Sequence, residues 1–254
     1  MTEKSETNSA RNALILAGVV ILIAAYCIAF GLQTLVAFEA HHWTRDNAWI
    51  TDVPEPLNAQ APAAGSTQLK AFNYEFKVPW TGKQKTNPTL TYVEFRFDSG
   101  QVVIFYDPEA QLDTVRSLKA SSPLEYQHLQ NVFGGQPLDT NYALYQAVYG
   151  ASPAATSPFM PMRDAIRTND LLLWKISFGY DAMPGLHSIE FGENRGFQFG
   201  DPSTGGAVAL RIFDGRDSQL RFIFLTQAGS NATIDQTDIN AAVQSLQPVP
   251  IIER

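Results

Sequence analysis

The chain has 254 residues, a formal net charge of −7 and a single cysteine. Its Lys and Arg are scattered, without the basic stripe that a nucleic-acid backbone requires, which argues against nucleic acid as a partner. Cys27 lies in an apolar run near the N-terminus, so the remainder has no disulfide, no thiolate zinc site and no cysteine nucleophile.

That run, Ala13 to Phe38, contains no charged residue. A bilayer core needs only about 20 apolar residues in a helix, which satisfies its own backbone hydrogen bonds. The expectation is one transmembrane helix over residues 13–38, with the lipid bilayer as its partner. A cleaved signal peptide fits less well. Its apolar stretch usually runs only about 7–15 residues, and cleavage after Ala29 would fall inside this one. The expectation is therefore an uncleaved signal-anchor. Lys4 and Arg11 precede the segment and only Arg45 follows closely, which predicts residues 1–12 as a cytoplasmic tail and the C-terminal part outside the cytoplasm, periplasmic in a Gram-negative cell. Trp43 and Trp49 would settle among headgroups or pack on the domain. Ala13, Ala17, Ala25 and Ala29 share a face on which a homodimer could close.

Residues 39–68 read as a juxtamembrane segment and linker. From Thr51 to Gln68 they are rich in Pro, Ala, Gly and Ser and lack hydrophobic periodicity. The outer domain then occupies 69–254. Phe72, Tyr74, Phe76 and Val78 alternate with polar residues, a half-buried strand ended by Pro79-Trp80-Thr81-Gly82. Thr91, Val93, Phe95 and Phe97 repeat the pattern. Asp98-Ser99-Gly100 then turns into Val102–Tyr106, apolar on both faces and so expected to lie centrally in a sheet.

A helical block is predicted between about 107 and 177. Ser122-Pro123-Leu124-Glu125 has the form of a capping box, starting a helix to Phe133 with Leu124, Leu129, Val132 and Phe133 inward and Gly134-Gly135 as its stop. Asp139 or Thr140 would cap a second helix to Gly150. A third, Met162 to Ser177, would turn Ile166, Leu172, Leu173 and Ile176 inward. Strands follow at 186–191, 196–199, 207–213 and 220–226, with a turn at Asp214–Asp217. Thr233-Ile234-Asp235-Gln236 reads as a second capping box, opening a last helix that Pro248 ends. The fold class expected is α+β: one N-terminal transmembrane helix, then one domain with a mostly antiparallel sheet packed by helices.

The strand ending in Val78-Pro79-Trp80, the hairpin around Asp98-Ser99-Gly100 and the closing Asp238-Ile239-Asn240…Ser245-Leu246 helix resemble the PsbP-like α/β/α sandwich family. The resemblance implies an antiparallel sheet with a C-terminal helix packed on it, makes the 107–177 block a long insertion, and implies an accessory or binding role. It carries over no catalytic residue.

Candidate chemistry is sparse. His41-His42 lacks a third metal ligand, and Glu125 with His128 lacks the second copy that a di-metal carboxylate site requires. No metal or other cofactor is expected. No nucleophile elbow, zinc-protease helix or phosphate-binding loop occurs. The least ordinary polar segment is 190–201, where Glu190, Glu193, Arg195 and Asp201 alternate with aromatics; with His187 these are the catalytic candidates, against a plain hairpin with a charged turn. Tyr142, Tyr145, Tyr149 and the Pro158–Pro161 stretch could form a partner surface, or belong to the core. The favoured reading is a membrane-anchored, extracytoplasmic, non-catalytic binding or accessory protein, with an envelope protein as candidate partner. The alternatives are an extracytoplasmic hydrolase with a spatially assembled site and a structural subunit dimerising through its membrane helix.

Overall fold

In a computed structural model of the chain, which describes residues 3–57, 61–64, 67–111, 113–133, 138–178 and 185–249, the alternating segments assemble into one large sheet. Its strands are β1 (Glu55–Pro56), β4 (Gln84–Pro88), β5 (Tyr92–Phe97), β6 (Gln101–Tyr106), β7 (Leu186–Phe191), β8 (Asn194–Phe199), β9 (Val208–Phe213) and β10 (Gln219–Thr226). They lie in the order β1-β7-β8-β9-β10-β6-β5-β4, antiparallel throughout except for β1 alongside β7. A small second sheet joins β2 (Thr67–Ala71), β3 (Tyr74–Val78) and β11 (Gln247–Pro248). The helices are α1 (Glu3–Asp46), α2 (Thr114–Ser121), α3 (Pro123–Val132), α4 (Asn141–Gly150), α5 (Met162–Phe178) and α6 (Gln236–Gln244). The fold is α+β.

Strand alternation divides the core in two. On one face Val208, Leu210 and Ile212 of β9 join Phe105, Phe222 and Phe224 beneath the β2–β3 hairpin and α6. Phe76 stands edge-on to Phe95, Phe105 and Phe222 at 6.1, 5.7 and 5.2 Å, a geometry that adds about 0.5–1.5 kcal/mol per pair to the burial itself. The opposite face, with Phe197, Phe199, Ala209 and Phe213, is covered by Leu144, Tyr145, Val148 and Tyr149 of α4 and Leu172 of α5. Between β8 and β9 the backbones approach so closely that a Cβ on Gly196 would lie 2.0 Å from the Arg211 carbonyl oxygen. Only glycine fits there.

Helix α1 joins this second layer. Gln33, Val36, Ala37 and Ala40 are buried, at the i, i+3, i+4, i+7 spacing of one helix face, and Trp43 packs against the same cluster rather than standing free. The stretch Ile15–Arg45 contains an 18-residue window with a mean hydropathy of 2.7 and is long and apolar enough to cross a membrane, a description that a signal sequence also meets.

Several expectations change. The helix expected to end at Phe38 runs to Asp46, and the tether expected behind it is built onto the domain. Ile50 is fully buried, β1 pairs with β7, Leu57 N–H donates to Ser188 O at 3.0 Å and Ala63 N–H to Thr237 O at 3.0 Å. Residues 58–60 and 65–66 of that segment lie outside the described residues. Its prolines are compatible with pairing because β1 is an edge strand.

The strand expected from Phe72 is the second arm of a hairpin. Phe72 and Asn73 form its turn with φ of +48° and +62°, the conformation that two-residue hairpin loops demand. Ser122 starts α3, with Pro123 in the first turn, but its side chain caps nothing; it also terminates α2, donating its N–H to Leu118 O, and that role sets its conformation. Leu124 is 81% exposed rather than inward. Gly134-Gly135 and the Val132 side chain lie outside the described ones. The C-terminal capping box forms two residues later than expected, between Asp235 and Asp238, since aspartate caps more strongly than threonine. In α5 Leu171, Leu172 and Lys175 are buried, whereas Leu173 is exposed. The second helix is capped by Thr140, whose hydroxyl accepts from Ala143 N–H.

Candidate functional site

One end of the sheet holds a cleft of about 870 Å³, bounded by the Phe72-Asn73 turn, the loop after β6, the start of α4 and the β9–β10 turn. Two of its lining carboxylates, Asp113 and Asp217, are engaged in building its walls. The β9–β10 turn places Asp217 so that its two oxygens accept from Asn141 N–H at 2.5 Å and Tyr142 N–H at 3.0 Å, capping α4 from another part of the chain. Asp113 caps α2 through Arg116 N–H at 2.9 Å and accepts from Asn141 Nδ2 at 3.1 Å, while Asn141 Oδ1 accepts from Val115 N–H at 3.0 Å. Asp214 holds the turn by accepting from Arg216 N–H and Ser218 N–H, and its other oxygen accepts from the buried Tyr74 hydroxyl at 2.9 Å. Burial first, then the Asp214 carboxylate, pushes the Tyr74 phenol up and keeps it a donor.

The remaining groups are of another kind. Arg116, Arg216 and Glu109 are exposed around the cleft, and neither arginine forms an ion pair among the described residues. Gln219 is buried in the lining with its Oε1 unpartnered among the described residues. Rim guanidiniums with fixed backbone and amide groups behind them suit a polar or anionic ligand. Glu109 is the lining carboxylate committed to no cap, so proton transfer in the cleft would fall to it alone.

The sequence-derived candidates separate into two groups. Glu190 and Arg195 are directly opposed across β7 and β8, both exposed, near the turn that holds Glu193. The Arg195 guanidinium lies 4.2 Å over the Tyr142 ring, and burial is the main cause that raises the Tyr142 pKa. Glu193 lines a separate hollow of about 450 Å³ beside Gly215. His187 lies three residues back along β7 from Glu190, roughly 10 Å away. With Asp201 and Ser203 it lines a different hollow of about 360 Å³. There Asp201 accepts from Ser203 N–H at 2.8 Å. The Ser203 hydroxyl, then that N–H, holds the Asp201 carboxyl below its usual range, with His187 contributing least. A serine nucleophile must give its proton to the histidine, whereas this hydroxyl is turned to the carboxylate. Met183 and Pro184, in the turn before His187, lie outside the described residues.

His128 pairs with Asp170 of α5 at 3.0 Å rather than with Glu125, His41 and His42 are exposed, and among the described residues no three His, Cys, Asp or Glu side chains are grouped to hold a metal. Tyr145 and Tyr149 belong to the core, so the tyrosine helix is packing rather than a partner surface. Ala17, Ala25 and Ala29 are exposed along α1.

Sequence reasoning missed Lys175. It is fully buried, and its ammonium donates to the carbonyls of Asp52 (2.5 Å), Ala151 (2.7 Å) and Tyr149 (3.0 Å). Two of these belong to the C-terminal end of α4, where carbonyls lack helical partners and the dipole favours a cation. Burial pulls the Lys175 pKa down to about 8, against the charge of Asp52. The available signal was a lysine three residues after Leu172, on the apolar face of an amphipathic helix.

Fold and cleft together define an α+β domain with a polar, helix-capped cleft, carrying one candidate N-terminal transmembrane or signal-anchor helix. Comparison with known proteins adds no relative: no family model, no curated protein and no solved structure matches the chain significantly.

Proposed function

We propose that this chain is a membrane-anchored, extracytoplasmic, non-catalytic binding or accessory protein that engages an envelope protein through an acidic or other anionic group. The observation that carries the reading is the chemistry of the large cleft. Of its lining carboxylates, Asp113 and Asp217 are bound up in helix caps, which leaves Glu109 against the two exposed guanidiniums of Arg116 and Arg216. The PsbP-like resemblance belongs to the same proposal; packing of α6 on the sheet supports it, and no residue role is drawn from it.

Two measurements test this reading. In the first, the protein is purified from detergent-solubilised membranes as wild type and as Arg116→Glu/Arg216→Glu, with complexes sized on native gels. A defined complex that the double variant loses supports the cleft as the binding surface; a complex of equal size and yield from both overturns it. In the second, a reporter fused at the C-terminus is expected to be active outside the cytoplasm, and activity confined to the cytoplasm overturns the orientation.

A hydrolase is the second reading, favoured by one observation: His187, Asp201 and Ser203 share a hollow. A fluorophosphonate probe that labelled the wild type but not Ser203→Ala would establish it. No labelling is expected.

A further inference from the structure

The apolar surface of α1 continues past the point where the domain begins. Large side chains from Ile15 to Ile28 are exposed around the helix; beyond Gln33 one face is buried, while Leu32, Leu35 and Phe38 remain exposed. At 1.5 Å per residue about 20 residues cover the roughly 30 Å of a hydrocarbon core. A span from Ala13 therefore ends near Leu32, immediately where docking on the domain starts. No spacer separates the two.

At that level stands the loop before α5. Phe159, between Pro158 and Met160, is 71% exposed, and its ring lies 5.5 Å from that of Phe30, edge-on. Met162 follows at 42% exposure. From there α5 rises alongside α1, and its far end reaches the segment beyond α1 through the Lys175–Asp52 bond. The layer that carries Phe159 is thus clamped to the helix at both ends. Phe159 touches the run that must lie in hydrocarbon, so a phenylalanine left outward there meets the same medium as Phe30. Phenylalanine on an apolar face buries at the boundary between headgroups and acyl chains.

We propose that the loop of residues 158–162 enters the bilayer interface beside α1, with Phe159 as its anchoring side chain, so that the domain rests on the lipid surface in one fixed orientation. The occupant is lipid, because the exposed loop is continuous with the exposed apolar face of α1. The inference rests on the membrane-anchor reading.

The test uses the full chain in a Cys27→Ser background, reconstituted in phosphatidylcholine–phosphatidylglycerol vesicles, with a nitroxide at one introduced cysteine: Leu22→Cys, Met162→Cys or Leu90→Cys. Phe159 is kept, and Leu22, Met162 and Leu90, the last beside the opposite edge strand, are exposed, so none of the three should disturb folding. Relaxation by oxygen, which concentrates in lipid, is compared with relaxation by a water-soluble nickel chelate. The expected oxygen-to-nickel ratio is several-fold higher at positions 22 and 162 than at 90. A ratio at 162 equal to that at 90, with 22 still lipid-like, overturns the loop insertion and leaves the anchor standing. A water-like ratio at 22 overturns the anchor, and the loop insertion with it.

Discussion

Asp217 caps a helix that begins 76 residues earlier: its carboxylate accepts from Asn141 N–H at 2.5 Å and Tyr142 N–H at 3.0 Å, while its own backbone holds a φ of +62°. One residue thus ties the β9–β10 turn to α4 and shapes a wall of the cleft. Asp217→Ala loses the cap and places a Cβ residue less tolerant of that conformation, a combined loss of about 2 kcal/mol. Asp217→Asn keeps an acceptor and tolerates positive φ, so it should lose less. Thermal melts in detergent, ranked wild type, Asn, Ala, check this; equal losses in both variants would show that the cap is idle.

Lys175 predicts a pH dependence with a definite sign. Its pKa in the fold, about 8, lies below the ordinary lysine value of 10.5, so the fold disfavours the charged form. Between pH 8 and 10.5 the unfolded chain holds the proton more tightly than the folded one, and stability rises with pH across that window. Stability from this residue is fully present above 10.5 and lost as the pH falls to about 8. Melts of wild type and Lys175→Met compared at pH 7.5 and 9.5 isolate it: the wild type should gain relative to the variant. At neutral pH the variant should still be the weaker protein, by about 3 kcal/mol, because three buried carbonyls lose their donor. A difference that does not change with pH would place the pKa elsewhere.

Tyr74 predicts the opposite slope at higher pH. Its pKa is raised, chiefly by burial, so its contribution is present below the ordinary tyrosine value of about 10 and is lost as the pH rises through the folded one. In ultraviolet titration of the folded protein, Tyr74→Phe should remove one of the late-ionising tyrosines and leave the early ones untouched. Removal of an early one would contradict the Asp214 bond.

Gly196→Ala tests the closest approach of two strands. Its added methyl would meet the Arg211 carbonyl oxygen at 2.0 Å, so β8 and β9 must part in the middle of the sheet. The expected loss is about 3 kcal/mol or more, roughly 6–12 °C in melting temperature for a domain of this size. A melt within about 2 °C of wild type would mean that the strands separate easily.

Much of the sheet was legible because β-strand alternation is a local property. β7 was expected over 186–191 and forms there, and the turns at Asp98–Gly100 and Asp214–Asp217 join the strands expected. The capping signals were less decisive where two elements compete for one residue. Ser122 ends α2 before it can cap α3, and Asp235 displaces Thr233 as the start of α6. For the site, type and spacing marked Glu190, Glu193, Arg195, Asp201 and His187 in the chain. A period-2 strand of that length carries its two ends apart: His187 and Asp201 line one hollow, Glu193 lines another, and Glu190 and Arg195 line neither.

By itself the sequence determined a thiol-free α+β domain with a mostly antiparallel sheet behind a long apolar helix, since composition and hydrophobic period act over a few residues at a time. Tertiary structure alone decided that the supposed tether is stitched to the sheet, that Lys175 joins α5, α4 and the segment beyond α1, and that Asp113 and Asp217 in the cleft serve as caps. Each of these depends on which distant backbone groups are left without a partner, and that is settled only when the layers pack.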